Sequence, residues 1–299
     1  MSLLTEKKPA AGAPAAEQGR RRPARRQGGA AGRFAVSSFL WVYAVIAVAP
    51  LMVMVFSSLR TTREMARNPL ALPLNPNFAS YTKAWVQASF GTFFTNSLLV
   101  TIGSVLLSTV VSLLAAYALA RSKSRVTAII EAVFLSGLML PVYLAILPVF
   151  YLLDGMGLVD NKFGLIMLYA ALGIPFSVFV LTSFFRQLPL ELEEAARIDG
   201  AGSFTMFWHI MLPLVKPAIA TVVVFRFVPI WNDFFYPLIL MRSKENYTLP
   251  VGLTTFFGEY QTDWPTLFAG LVIATIPLVV LFLVATKQIV AGLTAGMSK

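Results

Sequence analysis

The sequence contains no cysteine and one histidine among its 299 residues. Without cysteine the chain can form neither disulfides nor thiolate metal sites, and one histidine excludes a His-x-x-x-His metal motif. No Gly-Lys dipeptide occurs, which excludes a Walker A phosphate loop. An intramembrane enzyme would need a nucleophile with a base beside it, and the sequence offers no plausible combination of this kind. We therefore expect no metal site, no catalytic residue and no cofactor in this chain, so that any use of ATP requires another subunit.

Charged residues are also scarce, at 13% of the chain, whereas 57% of the residues are hydrophobic and the mean hydropathy is +0.73. Apolar runs of about 20 residues match a bilayer core of roughly 30 Å. Such runs predict an all-α polytopic membrane protein with six transmembrane helices, because a soluble core does not need so many. The predicted spans are residues 34–59, 93–120, 128–153, 163–185, 217–241 and 265–286.

Residues 1–33 are rich in Ala, Gly and Pro and carry a basic run at 20–26. This composition cannot build a packed core and predicts a disordered cytosolic tail that precedes a transmembrane domain at 34–299. The excess of Arg and Lys on the side of the tail predicts that both termini are cytosolic. The run can also attract anionic lipid headgroups, whereas nucleic-acid binding and a cleaved signal peptide fit the sequence poorly.

Small residues follow one another at a spacing of four in the second predicted span: Ser104, Ser108, Ser112, Ala116 and Ala120. Such rows let helix backbones approach closely within a membrane. The row therefore predicts close helix packing, either within this chain or against a partner subunit.

The 186–216 segment is polar and interrupts the apolar spans. Its acidic residues favour the start of a helix, Glu193 and Arg197 are spaced to pair with each other, and Gly200 suits the end of the helix. We expect a second short helix at 203–212, stopped by Pro213. The first helix could lie in a groove of another protein or pack on its own subunit, and composition does not decide between these.

The same segment resembles the signature loop of permease subunits in binding-protein-dependent ABC importers. The matching residues are Glu194, Ala195, Ala196, Gly200, Ile210, Leu212 and Pro213. Further motifs resemble the carbohydrate branch, and within it the smaller permease of the maltose importer. These are Thr95-Asn96-Ser97, Trp231-Asn232-Asp233-Phe234 with Pro237-Leu238, Leu249-Pro250-Val251-Gly252-Leu253, and Gly292-Leu293-Thr294-Ala295-Gly296.

The resemblance implies a heterodimer with a second permease, two ATPase subunits that bind ATP and Mg, and an extracellular solute-binding protein. It implies a sugar as substrate and a bacterial or archaeal cell membrane as location, with lipid but no nucleic acid as a further partner. The implied ATPase-coupling residues are Glu194, Ala195, Ala196, Asp199 and Gly200. The implied contacts to the binding protein are Gly252, Thr254, Thr255 and Gly258.

Arg226 falls near the middle of the fifth predicted span, and Asp233 follows about two helical turns later. A charge at this depth should face the bundle interior or water. We expect the two residues to form either a gate or pathway pair, or structural ion pairs with other helices. We add Asn96 and Asn232 to the candidate translocation pathway.

Two other functions compete with a sugar importer. An ion-coupled secondary carrier would need acidic sites within the membrane, and the spans offer only Asp233 and Glu131. A permease of the same kind for a solute other than a sugar also fits the sequence.

Overall fold

The computed structural model describes residues 30–87, 89–256 and 263–295, and these are largely helical, without β-strands. The α-helices are α1 (Ala30–Ser58), α2 (Thr62–Arg67), α3 (Ala79–Thr82), α4 (Phe90–Arg121), α5 (Arg125–Met139), α6 (Ile146–Gly155), α7 (Lys162–Gln187), α8 (Glu191–Ile198), α9 (Ser203–Thr205), α10 (Leu212–Leu214), α11 (Lys216–Asn232), α12 (Phe235–Leu240), α13 (Leu249–Leu253) and α14 (Trp264–Ala295). Shorter 3₁₀ or π turns lie at Lys83–Gln87, Val142–Ala145, Met206–Met211, Lys244–Asn246 and Thr254–Phe256. The all-α prediction is confirmed.

Within the described residues, four helices are long and apolar enough to cross a membrane: α1, α4, α7 and α14. Two bent pairs raise the number to as many as six if each pair counts as one span. The prediction of six spans is compatible with this arrangement. The predicted tail lies almost entirely outside the described residues, since α1 begins at Ala30.

The third predicted span consists of two helices rather than one. Residues Arg125–Met139 and Val142–Gly155 are bent by 88° relative to each other. The bend follows Leu140, whose extended backbone suits a residue that precedes proline. Pro141 cannot continue the hydrogen bonding of α5, so the chain turns there. Pro175 and Pro277, in contrast, remain inside α7 and α14.

The fifth predicted span also differs from a single helix. α11 ends at Asn232, and a separate short helix, α12, follows after Asp233 and Phe234. At its other end α11 continues from the helical stretch Ser203–Leu214 with a bend of 71°. The candidate span of the structure thus begins earlier than residue 217 and ends earlier than residue 241.

The described residues fall into two compact units, which divide between Pro50 and Leu51. In the first unit, the large apolar side chains of α1 are exposed. In the second unit, α4 packs most extensively on α7, and α11 packs on α14, α4 and α7. Its buried apolar residues form two clusters, one around Phe93, Leu165 and Trp231 and the other around Phe185, Met206 and Met211.

The small-residue row of α4 packs within this chain. Ser104, Ser108, Ser112 and Ala116 are all fully buried, and two of them bond to α7. The hydroxyl of Ser104 donates to the carbonyl of Ile166 at 3.3 Å, and that of Ser112 lies 3.5 Å from the carbonyl of Ile174. Close backbone approach between α4 and α7 explains the spacing of four.

Candidate functional site

Helix α8 lies at the end of the bundle where α4 and α7 finish and α5 begins, and it presents two different faces. Ala196 is buried against the second apolar cluster, whereas Glu194, Ala195, Asp199 and Gly200 are exposed. The exposed residues are free to contact another protein. Ala196 instead allows α8 to lie close to its own bundle, so the two adjacent alanines belong to different faces of the helix.

Glu193 forms an ion pair with a different helix from the one expected. Its carboxylate accepts a hydrogen bond from Nε of Arg121 at 2.5 Å, and both side chains are largely buried, with exposures of 6% and 15%. The predicted pair with Arg197 is therefore wrong. The reason is that α8 packs on the end of α4, which offers Glu193 a cation away from water, whereas Arg197 is exposed.

Gly200 closes α8 as predicted. Its φ of +82° lies in the left-handed region that favours glycine, and its amide donates to the carbonyl of Arg197 at 3.0 Å. The second helical stretch begins at Ser203 as expected but extends to Leu214. Pro213 does not stop it, because this residue lies in the first turn after a π-helical stretch, where a missing N–H costs little.

Large apolar side chains surround the exposed face of α8. Ile198 is 86% exposed and Phe204 is 74% exposed, and Leu190, Leu192 and Trp208 are also exposed. Exposed apolar residues grouped in this way mark an interaction surface. Sequence reasoning missed them because the matched motif contains small and charged residues, although the apolar residues interleaved with it were a visible signal.

The other end of the bundle joins two sequence motifs that are far apart in the chain. Asn96 is buried, and its amide nitrogen donates to the carbonyls of Glu245 and Tyr247 at 2.7 and 2.9 Å. Its amide oxygen accepts from Lys162 at 3.0 Å. The hydroxyl of Ser97 accepts from the amide of Leu249 at 2.7 Å. Asn96 thus anchors a loop, and its assignment to the pathway stays a prediction.

The loop beyond α13 has a buried root and exposed hydroxyls. A Cβ atom at Gly252 would lie 2.1 Å from the ring of Phe93, so only glycine fits this position. Thr254 and Thr255 are exposed, and their hydroxyls donate to backbone carbonyls of the preceding turn at 2.7 Å. Gly258 lies outside the described residues. Contact of this loop with a binding protein stays a prediction.

Asp160 fixes a second loop at the same end. Burial alone would raise the pKa of its carboxyl, but hydrogen bonds from Ser243, Arg242 and Asn246 lower that pKa to about 2. The amides of Arg242 and Ser243 donate to the carboxylate at 2.9 and 3.0 Å. The loop after α12 is thereby tied to the start of α7 by a carboxylate that remains ionised.

Arg226 and Asp233 line one small cavity of about 160 Å³ without forming an ion pair within 4.0 Å of each other. The guanidinium of Arg226 donates to the carbonyl of Tyr169 at 3.1 Å. The hydroxyl of Tyr169 in turn donates to the carboxylate of Asp233 at 2.6 Å. Tyr169 therefore bridges the cation and the carboxylate, a link that sequence spacing did not indicate.

Helix α7 makes room for the guanidinium. A Cβ atom at Gly173 would lie 2.8 Å from Nε of Arg226, so the glycine allows the close approach. That Nε atom is buried and has no hydrogen-bond partner. Asn232 is exposed, and its side chain bonds to the carbonyl of Val228 in its own helix at 2.9 Å. Of the four pathway candidates, only Arg226 and Asp233 share a cavity.

The chain matches the family model described as "Binding-protein-dependent transport system inner membrane component" over residues 108–294. It is 35% identical over 268 residues to the diacetylchitobiose uptake system permease protein NgcG of Streptomyces coelicolor, covering 88% of this chain and 89% of that protein. It is also 35% identical over 228 residues to the melibiose/raffinose/stachyose import permease protein MelC of Bacillus subtilis, covering 76% and 83% of the two chains.

Its fold resembles that of a chain in a bacterial ABC transporter involved in the import of the acidic polysaccharide alginate. The two share 23% sequence identity with a TM-score of 0.77, and the match covers 86% of this chain and 96% of the other. The family match and the two relatives confirm the resemblance that the 186–216 segment suggested. The chain therefore belongs to the family of inner membrane components of binding-protein-dependent transport systems and is a permease subunit with several membrane-spanning helices.

Proposed function

We propose that this chain is one of two permease subunits of an ATP-driven importer that takes up a sugar or oligosaccharide delivered by an extracellular binding protein. The observation that carries the proposal is the exposed face of α8, where Glu194 and Ala195 lie beside strongly exposed Ile198. A short helix with such a face fits a groove of a partner protein. The two relatives described above, permeases for diacetylchitobiose and for melibiose, raffinose and stachyose, supply the substrate class.

The proposed partners divide between the two ends of the bundle. Two ATPase subunits, which bind ATP and Mg, contact the α8 end of the bundle on the cytosolic side of the membrane. Both termini of this chain lie on the same side. The binding protein contacts the opposite end near Thr254 and Thr255. A second permease completes a heterodimer in the bacterial or archaeal membrane.

The acidic residues of the spans support an importer over an ion-coupled carrier. Glu131 is held by Arg186 through two hydrogen bonds of 2.8 and 2.7 Å. Asp233 accepts from Tyr169 at 2.6 Å and from the amide of Phe235 at 3.0 Å. Glu131 thus has a cation as partner in this chain, and Asp233 shares its cavity with the cation Arg226. An ion-coupled carrier instead needs a carboxylate that the transported cation neutralises.

The test is sugar uptake into proteoliposomes that contain this chain and the second permease, with and without the ATPase subunits. We expect uptake only with the ATPases, ATP and the binding protein. Uptake driven by a proton or sodium gradient without ATPases would identify a secondary carrier instead. ATP-driven uptake of a solute other than a sugar would support the importer and contradict the proposed substrate class.

Replacing Thr254 and Thr255 with Lys should weaken stimulation of ATP hydrolysis by the binding protein. Both threonines are exposed, so the new side chains change the surface and leave the buried Phe256 in place. Hydrolysis is measured with and without the binding protein, and Thr255→Ser serves as the conservative control. Stimulation equal to that of the wild type would show that the loop is only a connector.

Arg226→Leu and Asp233→Asn should affect basal ATP hydrolysis as a coupled pair, because Tyr169 bonds to both residues. We expect the double variant to depart by more than about twofold from the product of the single effects, which corresponds to a coupling above ~0.5 kcal/mol. As a control, Asn232→Ala should combine with Arg226→Leu multiplicatively, because its side chain bonds only to its own helix. Multiplicative effects in both pairs would refute the link.

A further inference from the structure

Arg226 lines the cavity between α7 and α11, and the hydrogen bonding of its guanidinium is incomplete. Nε of Arg226 is buried and unbonded, while its terminal nitrogen already donates to Tyr169. A buried donor without a partner costs about 1–3 kcal/mol, and more within a membrane, where charged groups face water or a ligand pathway. Among the residues that the structure describes, none accepts from this nitrogen, so the cation of Arg226 is only partly satisfied by its surroundings.

Acceptor capacity lines the same cavity. Each oxygen of the Asp233 carboxylate accepts one hydrogen bond, from Tyr169 and from the amide of Phe235. An ionised carboxylate offers about four acceptor positions, so capacity remains for two more donors. A cation that donates and a carboxylate that accepts suit a ligand with several hydroxyl groups.

Aromatic side chains line part of the cavity, among them Tyr143 and Tyr236. The ring of Tyr143 stacks on that of Tyr236 at 5.6 Å between centroids and meets the edge of Phe235 at 5.4 Å. Tyr236 is 2% exposed and its hydroxyl donates to the carbonyl of Val142, whereas Tyr143 is 60% exposed. The ring of Tyr143 is therefore held by its aromatic neighbours and remains accessible beside the cavity. Small-molecule sites likewise combine aromatic walls with a few polar groups.

The size and charge of the cavity further restrict the class of ligand that it can hold. Its volume of about 160 Å³ is several times the ~30 Å³ that a water molecule occupies in the liquid. It is well below the roughly 300–1,000 Å³ of pockets that enclose a drug-sized ligand. One sugar ring fits this range and a whole oligosaccharide does not. The formal charges of Arg226 and Asp233 cancel, so an acidic sugar would bring an uncompensated charge.

We infer that the cavity is a subsite for a single neutral pyranose unit, which lies against Tyr143 while its oxygens contact Arg226 and its hydroxyls contact Asp233. This inference rests on the proposed function, since it places one sugar unit of the transported substrate on this subunit. Tyr143 was not among the residues that the sequence singled out.

The test uses the complete transporter in proteoliposomes, with radiolabelled maltotriose, cellotriose and raffinose as neutral probes and trigalacturonate as the acidic one. For the neutral probe that the wild type takes up best, we expect Tyr143→Ala to lower the sugar transported per ATP hydrolysed by about tenfold, the effect of losing one good aromatic contact. Tyr143→Phe keeps the ring and should stay within about twofold of the wild type. Tyr151→Ala is the matched control, because Tyr151 is 70% exposed and does not line the cavity.

Each outcome has a distinct meaning. If Tyr143→Ala transports as well as Tyr151→Ala, the subsite is refuted while the sugar importer stands. If the wild type takes up trigalacturonate and none of the neutral probes, the neutral subsite is likewise refuted. If the wild type takes up no sugar of either kind although ATP hydrolysis responds to the binding protein, the proposed function fails together with the subsite.

Discussion

A Glu194→Lys variant should insert and pair with the second permease, yet lose binding of the ATPase subunits and with it ATP-driven transport. Glu194 is exposed on α8, so the replacement leaves the fold of this chain intact. If the proposed partner surface carries positive charge opposite Glu194, the new lysine places two like charges next to each other. Such a contact costs several kcal/mol of binding free energy. A cost of about 3 kcal/mol lowers affinity by roughly a hundredfold.

The experiment measures co-purification of the ATPases with the tagged permease and uptake by the assembled transporter. Asp154→Lys makes the same change of charge on an exposed residue at the opposite end of the bundle and should retain the ATPases. A Gly200→Asp variant adds a second test, since its φ of +82° disfavours any side chain. ATPase retention and transport at wild-type levels in both α8 variants would contradict the docking role.

Local sequence signals predicted the elements of the fold because their causes are local. Apolar runs of membrane length, acidic residues at the start of α8 and Gly200 at its end each act within one or two helical turns. The family motif places the 186–216 segment for the same reason, since its residues lie close together in the chain. Helix boundaries accordingly agree with the structure to within a few residues for α4 and α7.

Bends and pair partners were less predictable because they depend on packing between distant segments. Pro141 marks a bend of 88° while Pro175 stays inside a helix, and the same residue type gives no sign of the difference. Glu193 bonds to a residue 72 positions away rather than to its helical neighbour. The packing of α8 on α4 decides this choice, because it buries the carboxylate of Glu193, and a buried charge is costly without a partner of opposite charge.

The candidate site shows the same division. Charge identified Arg226, and charge together with the family motif identified Asp233, since charged residues within spans are rare and functional. The structure adds Tyr169, which links the two residues, and Tyr143, whose ring lies beside them. Both tyrosines belong to segments far from Arg226 and Asp233 in the sequence. A single sequence does not reveal which tyrosine faces which span.

The ion pair of Glu193 with Arg121 should transmit movement of α8 to the bundle. Arg121 is the last residue of α4, and its guanidinium holds a carboxylate that lies in the first turn of α8. Because both side chains are largely buried, removal of one leaves the other without compensation. For buried pairs this costs about 3–5 kcal/mol, enough to release a short helix whose other anchor is mainly Ala196 and its neighbours.

We therefore expect Arg121→Gln to loosen α8, measured as faster amide hydrogen exchange in residues 191–198, and to reduce the sugar transported per ATP hydrolysed by tenfold or more. The exchange measurement reports on this chain alone, so it tests the anchor even where transport is lost for another reason. The double variant Arg121→Glu with Glu193→Arg restores a pair of opposite charges and should recover part of both properties.

Arg186→Gln is the matched control, because it removes the same cation from a pair with Glu131 whose side chains are 45% and 27% exposed. Exposed pairs contribute about 0–1 kcal/mol, and this pair joins α7 to α5 without touching α8. Its loss should leave the exchange rates of α8 unchanged. Equal exchange in the Arg121→Gln, Arg186→Gln and wild-type proteins would show that α8 is held by apolar packing alone, and the buried pair would then have no part in coupling.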